Sequence, residues 1–279
     1  MLKFMPTKSF PLLFVLLSCF GFSQLVFAFT PEQTVNAWVS ALKRNDVNAA
    51  MLLGTTPEEY LDLSKDLAND YIDTPESNAS FASDFADLLA PDASARIFAQ
   101  VQPNLALANV YRDSFAGMAD AMLQEFGSAG ANAGANSGAD SPLTPEQLAA
   151  ANEVLQAFKG WAMRTDFSDE KRAMAAINAV VTAFRAANVR SATDWAKLSN
   201  DARIAKLNFV LQAVKAVLKS YDLDLDKLFA SVVATPGKRS ADISEVRIAF
   251  KVFEARGSSM FKMYQRSGEW FFWENSIMH

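Results

Sequence analysis

The sequence predicts an α+β protein, predominantly helical: an antiparallel helix bundle followed by a C-terminal three-stranded antiparallel β-meander. Three observations lead there. Apolar residues recur at spacings of three and four over most of the chain. The same helix-start signal, Thr-Pro-Glu followed by Glu or Gln, is used three times. The last forty residues switch to period two between glycine-bearing turns.

Residues 1–28 read as a secretory signal and stand outside the expected fold. Lys3 and Lys8 form a basic start with no acid before Glu32, an apolar run follows from about Phe10 to Phe22, and Val26-Phe27-Ala28 supplies the small-residue cleavage pattern. A retained anchor is the alternative, since the apolar stretch nearly reaches the ~20 residues a spanning helix needs. Ser18, Gly21, Ser23 and Gln24 interrupt it, which favours cleavage after Ala28. Leu16-Leu17-Ser18-Cys19 is a lesser alternative: it has the form of a lipobox, in which Cys19 would be acylated and become the new N-terminus.

The remaining chain, 29–279, is expected to form one composite domain: a helical half at 29–126, a linker at 127–142, and helices followed by a sheet at 143–279. Thr30-Pro31-Glu32-Gln33, Thr56-Pro57-Glu58-Glu59 and Thr144-Pro145-Glu146-Gln147 each place a capping hydroxyl before proline at N1 and an acid or amide at N3. The hydroxyl accepts from orphan amides, proline needs no amide partner there, and acids favour the positive end of the helix dipole. Val35, Trp38, Val39 and Leu42 make the first stripe, ended near Asn45-Asp46. Leu107, Val110, Tyr111, Phe115, Met118, Met122 and Phe126 make a longer one. Leu148, Leu155, Phe158, Trp161 and Ala162 continue the pattern, then Met174, Ile177, Val181 and Phe184, then the run from Leu207 to Tyr221. Each stripe is expected to be buried against a neighbouring helix. Residues 127–142 hold four glycines and no large apolar side chain, which predicts a flexible connection. The sheet is expected at 244–275: Glu245 to Glu254, Ser259 to Arg266 and Glu269 to Asn275, with turns at 255–258 and 266–269. Trp270-Phe271-Phe272-Trp273 is apolar on both faces, so it must be covered twice or line a cavity.

Composition excludes more chemistry than it suggests. The one cysteine is Cys19, and the one histidine is the last residue, His279. A Cys–His pair or Ser–His–Asp triad cannot be assembled in the chain beyond residue 28, and tetrahedral zinc loses its usual ligands. Ser-x-x-Lys occurs at Ser40/Lys43, Ser168/Lys171 and Ser259/Lys262, scattered and without the accompanying motifs of serine–lysine acyl enzymes. Asp62, Asp66 and Asp70 stack like charges four apart, as a solvated helix face does. Asp222-Leu-Asp224-Leu-Asp226 begins like a calcium loop, but Lys227 stands where that loop needs glycine. No metal or cofactor is implied. The formal charge of −5 gives no global attraction to nucleic acid. Residues 56–100 are nonetheless acidic, and 238–266 carry seven bases against three acids. Those two regions either face each other or leave a basic sheet for an anionic partner.

Residues 30–54, TPEQTVNAWVSALKRNDVNAAMLLG, resemble the opening helix and turn of small exported proteins with the nuclear-transport-factor-two-like fold. The ending FKMYQRSGEWFFWEN is similar to that fold's last hairpin, with Gly268 and Trp270 ahead of the final strand. The resemblance covers about a quarter of the chain beyond residue 28 and implies a large helical insertion between its two ends. A looser resemblance is to periplasmic phospholipid-shuttle proteins. Both imply a curved sheet around an apolar pocket, which Phe250, Phe253, Tyr264, Trp270, Phe272 and Trp273 would line; packing in an ordinary core is the alternative use of each ring.

The expected function is therefore that of a non-enzymatic, exported cell-envelope protein, periplasmic or secreted, that binds a lipid or other apolar small molecule. The alternative is an envelope protein–protein interaction module using helical faces or charged patches. An enzyme working through a carboxylate pair is a third reading with no motif behind it. Mass spectrometry of the purified protein's N-terminus is expected to find Phe29; a lipid-modified Cys19 would establish the acylated form instead.

Overall fold

The computed structural model describes residues 29–69, 74–132 and 145–272. Residues 1–28 with Cys19, and Asp70, Thr144 and Trp273, lie outside the described residues.

Helix α1 (Pro31–Lys43) starts with the complete capping box expected of Thr30-Pro-Glu-Gln: Thr30 Oγ1 accepts from the Gln33 amide, and Gln33 Oε1 accepts from the Thr30 amide at 2.9 Å. Asn45 ends the turn after it with a left-handed φ of 60°, and Asp46 caps α2 (Val47–Met51) by accepting from the Ala49 amide. Thr56 and Glu59 repeat the reciprocal cap at the start of α3 (Pro57–Asn69). Next come α4 (Pro75–Leu89), α5 (Ala93–Val101), a 3₁₀ turn (Gln102–Asn104) and the long α6 (Leu105–Asn132). The second half holds α7 (Pro145–Arg164), α8 (Glu170–Ala187), α9 (Ala192–Ala196), α10 (Asn200–Ser220) and α11 (Leu225–Ala230).

The helices pair antiparallel, as cross-links at their ends show. Gln102 reaches Glu170 while Arg185 donates to the Ala90 carbonyl, so α5 and α8 run oppositely. Asn109 bonds Asp166 and Ser168 while Lys159 pairs with Asp120, which sets α7 against α6. Arg172, near the start of α8, donates to the Ser220 carbonyl at the end of α10.

The sheet has four strands in the order β1-β2-β3-β4, all antiparallel: β1 (Val233–Arg239), β2 (Ile243–Val252), β3 (Ala255–Arg266) and β4 (Glu269–Phe272). The last three are the predicted meander. β1 is an additional strand that the sequence reading leaves out. It is an edge strand containing Pro236 and Gly237, tolerable there because its outer amides need no sheet partner, and its register slips between Pro236 and Arg239. The first hairpin turn also differs from expectation. It lies at Phe253-Glu254, between paired Val252 and Ala255, not at 255–258. Gly257 sits inside β3 opposite Phe250, where a Cβ would come within 2.3 Å of the Phe250 ring and 2.9 Å of Val154. Its small size makes room for the ring. The second turn is where the sequence puts it, with Ser267 and Gly268 both at positive φ, as a two-residue hairpin requires.

α1 divides the core. Ala41 and Leu42 pack with Val47, Ala50, Met51, Ile204 and Leu211 among the helices. Val35 and Val39 pack with Val246, Ile248, Met263, Trp270 and Phe272 on the sheet. Lys215 of α10 secures this arrangement. Its ammonium, almost wholly buried, donates to the Leu42 carbonyl (2.8 Å) and the Lys43 carbonyl (3.1 Å) at the end of α1 and lies 2.6 Å from Asp226 of α11. The ring of Phe229 lies 5.4 Å beneath it.

The stripe of α6 departs from expectation. Leu107, Val110, Tyr111, Met118 and Met122 are exposed, from 40% to 69%. The helix instead packs its small face, Ala116 and Ala119, against α7. It also continues to Asn132, through the first six residues of the predicted linker, although Gly127 and Gly130 disfavour helix there.

Lys215→Met is expected to destabilise the fold by about 2–3 kcal/mol in urea titrations, below the 3–5 kcal/mol of a fully buried pair because Asp226 is half exposed. A loss under about 1 kcal/mol would remove Lys215 from its structural role.

Candidate functional site

The residues predicted to line one cavity are distributed over three environments. Phe250, Trp270 and Phe272 belong to the covered face of the sheet, packed with Val35, Val39, Trp38 and Phe261. Phe272 meets Trp38 at 5.4 Å and Phe261 at 5.5 Å between ring centroids, and the Arg239 guanidinium lies 4.9 Å over Trp270. β4 is tied down on its outer side as well, since the Phe272 amide donates to the Gly54 carbonyl. Tyr264 points to the opposite face, beside Phe271, as strand alternation requires once Met263 faces the core. Phe253 sits at the β2–β3 turn, away from both groups.

Phe253 joins an aromatic cluster that the sequence reading misses as a unit. It stacks on Trp161 (6.1 Å, 23° between planes) and meets Phe158 edge-on at 5.9 Å. Trp161 meets Phe167 edge-on, and Phe167 continues to Tyr221 at 5.3 Å. All five rings are half-buried, and none is sealed in the core. Phe158, Trp161 and Tyr221 were legible as members of helix stripes. That they converge with a hairpin tip depends on α7 packing across β3. Around them, Trp161 Nε1 donates to the Tyr221 carbonyl at 2.6 Å and Arg172 pairs with Asp222 at 2.6 Å. Burial, with Asp169 nearby, pushes the Tyr221 phenol above its ordinary range.

The second candidate surface is the open face of the sheet. Alternation leaves Arg247, Lys251, Arg256 and Lys262 exposed on it, with Lys251 directly opposite Arg256. Like charges facing across strands repel, at a cost that solvent keeps small. The acidic region meets the basic sheet at one rim, where Arg266 makes a two-pronged contact with Glu58 of α3 at 3.1 and 3.3 Å. The Glu58 backbone amide, then Arg266 and the Thr56 hydroxyl, hold the Glu58 carboxyl below its ordinary range.

The third is the outer stripe of α6. Leu107, Tyr111 and Met118 lie on one side of the helix with exposed Ser114 between them and exposed Ala121 beyond, and Val110 and Met122 flank the line. Apolar side chains as exposed as these along four turns make a continuous patch, the kind of surface that marks a docking site.

The remaining polar motifs are engaged in structure. Ser40 turns its hydroxyl to the Asn36 carbonyl and Ser168 to Asp166, away from the lysines three residues on. Asp222, Asp224 and Asp226 diverge to Arg172, Lys219 and Lys215. Asp224 also caps α11. Burial opposes its charge, but the Lys227 and Asp226 amides and the Lys219 ammonium outweigh that and hold its carboxyl below the usual range. Tyr60 donates to Asp201 at 2.6 Å, binding α3 to α10; burial and that carboxylate push its phenol far up. Among the described residues no three His, Cys, Asp or Glu side chains gather as a metal site would need, and no described helix is long and apolar enough to cross a membrane.

Comparison with protein-family models, curated proteins and solved structures finds no match to this chain.

Proposed function

We propose that this protein is an exported, non-catalytic interaction module of the cell envelope that docks a partner through the outer face of α6. The apolar stripe of that helix carries the reading. Leu107, Val110, Tyr111, Met118 and Met122 remain in water although the same helix packs its alanine face inward. Exposing such a line is unfavourable for a free monomer, and a helix with apolar anchors at i, i+3, i+4, i+11 and i+15 suits another helix or a groove. The export signal at 1–28 and the scarcity of histidine and cysteine support an envelope protein without nucleophilic or zinc chemistry. A photo-reactive amino acid at Leu107 or Met118, in cells producing the protein, is expected to yield a protein adduct, and the same probe at Arg256 none. Stripe positions that give no adduct would overturn the docking reading.

A second reading, binding of a lipid or other apolar small molecule, is favoured by the half-buried rings of Phe158, Trp161, Phe167, Tyr221 and Phe253. It inherits the resemblance to the nuclear-transport-factor-two-like fold but moves the ligand from the predicted sheet cavity to the junction of α7 with the hairpin tip. The rings at the centre of the sheet are already used in packing against α1. Solvent extraction of the purified protein followed by lipid mass spectrometry is expected to release a bound molecule that Trp161→Ala no longer retains. A clean extract from the unmodified protein would sink this reading.

A further inference from the structure

We infer that the partner of the α6 stripe is a second copy of this chain, seated antiparallel across a two-fold axis. The inference rests on the docking role proposed for α6 and names its occupant.

Spacing and side-chain size both argue for it. Leu107, Tyr111, Ser114, Met118 and Ala121 follow one another by four, three, four and three residues, the step that keeps a seam facing a neighbouring helix. Large and small residues alternate along part of the seam. Turning a second α6 end for end about an axis level with Ala116 sets Tyr111 against Ala121 of the second copy and Ser114 against its Met118. Tyr111 and Met118 each then meet a small residue, while Leu107 comes level with Glu125 and Val110 with Met122, and the two-fold axis makes every such contact twice. A parallel arrangement in register would instead oppose Tyr111 to Tyr111 and Met118 to Met118, leaving gaps at Ser114 and Ala121.

Area agrees with this occupant. The exposed parts of Leu107, Val110, Tyr111, Met118 and Met122 amount to about 500 Å² of apolar surface per copy, hence about 1,000 Å² for a two-fold pair, the size at which a specific interface becomes credible. The inner side of α6 is occupied by α7, so a second copy can approach the stripe without disturbing the monomer's packing.

The test uses the mature chain, with Cys19→Ser wherever that residue is retained, carrying Ser114→Cys or Met118→Cys. Mixed and oxidised, the two variants are expected to give about tenfold more covalent dimer than either alone, because identical positions lie too far apart across the axis for a disulfide. The unsubstituted chain should sediment as a dimer. Tyr111→Glu and Met118→Glu should sediment as monomers with unchanged circular dichroism and a melting temperature that no longer rises with protein concentration. Ser114→Cys cross-linking to itself as readily as the mixture would overturn the antiparallel pairing, and a monomer at every concentration tested would overturn self-association. A monomer whose stripe still gives adducts with a different protein in cells refutes the second copy while leaving the docking role intact. Loss of both results refutes both. Binding of the monomer to lipid vesicles that Met118→Glu abolishes would also count against a second copy.

Discussion

The last turn of a helix leaves carbonyl groups short of donors; at the end of α1 the Leu42 carbonyl has the Asn45 amide at 3.0 Å and can take a second donor. Lys215 meets that need with one ammonium group, donating to the Leu42 and Lys43 carbonyls. A cation at a helix C-terminus is favoured by the dipole as well as by the hydrogen bonds. Burying it would be costly without a counter-charge, which Asp226 supplies from α11. Three helices are thereby fixed relative to one another by a single side chain. Because α1 presents Ala41 and Leu42 to the helical cluster and Val35 and Val39 to the sheet, the two halves of the core keep their relation through it. Trp38 and Phe229 touch both clusters and reinforce the same junction.

From that junction the asymmetry of the sheet follows. α1, α11 and α7 all lie on the side of Val246, Ile248 and Val252, so the alternate residues of β2 and β3 face water. Arg247, Lys251 and Arg256 can then cluster at modest cost, since exposed like charges are screened. The same placement brings Phe253 to Trp161, because the hairpin tip projects toward α7. The surfaces available for function are those left over once α1 is anchored: the basic sheet face, the half-buried aromatic cluster and the outside of α6.

Much of this was legible in the sequence wherever a local rule and the tertiary packing agree. The caps at Thr30 and Thr56, the turn at Asn45 and the Ser267-Gly268 hairpin depend on a few adjacent residues, and they occur as the pattern predicts. β1 was not legible, because proline and glycine remove the period-two signal and only pairing with β2 makes Val233–Arg239 a strand. Gly257 misled for a related reason. Glycine reads as a turn residue, yet here it clears space for Phe250 on the neighbouring strand. Of the six candidate cavity residues, the five described ones divide between two sheet faces and a turn, because a list of aromatics carries no facing information. Met263 and Tyr264 are adjacent, and alternation alone sends one to the core and the other to the open side.

Periodicity identifies an apolar face without saying whether the molecule has anything to put against it, and α6 shows the difference. Its inward contacts are with α7, through small residues such as Ala116 and Ala119 and through polar links at Asn109 and Asp120. Small side chains bring two helices close but bury little area, so this packing stabilises a 28-residue helix weakly for its length. Isolated helices are marginal in water and take most of their stability from burying an apolar face. For α6 the larger apolar face is the outer one. Whatever covers Tyr111 and Met118 therefore stabilises the α6–α7 pair as it binds, by ordinary linkage between binding and folding. α7 carries Phe158 and Trp161 against Phe253, so cover on the outside of α6 also reinforces the support of the aromatic cluster. The two candidate surfaces on that side of the molecule are thus joined by α7, which packs on α6 and carries Phe158 and Trp161 against the hairpin tip.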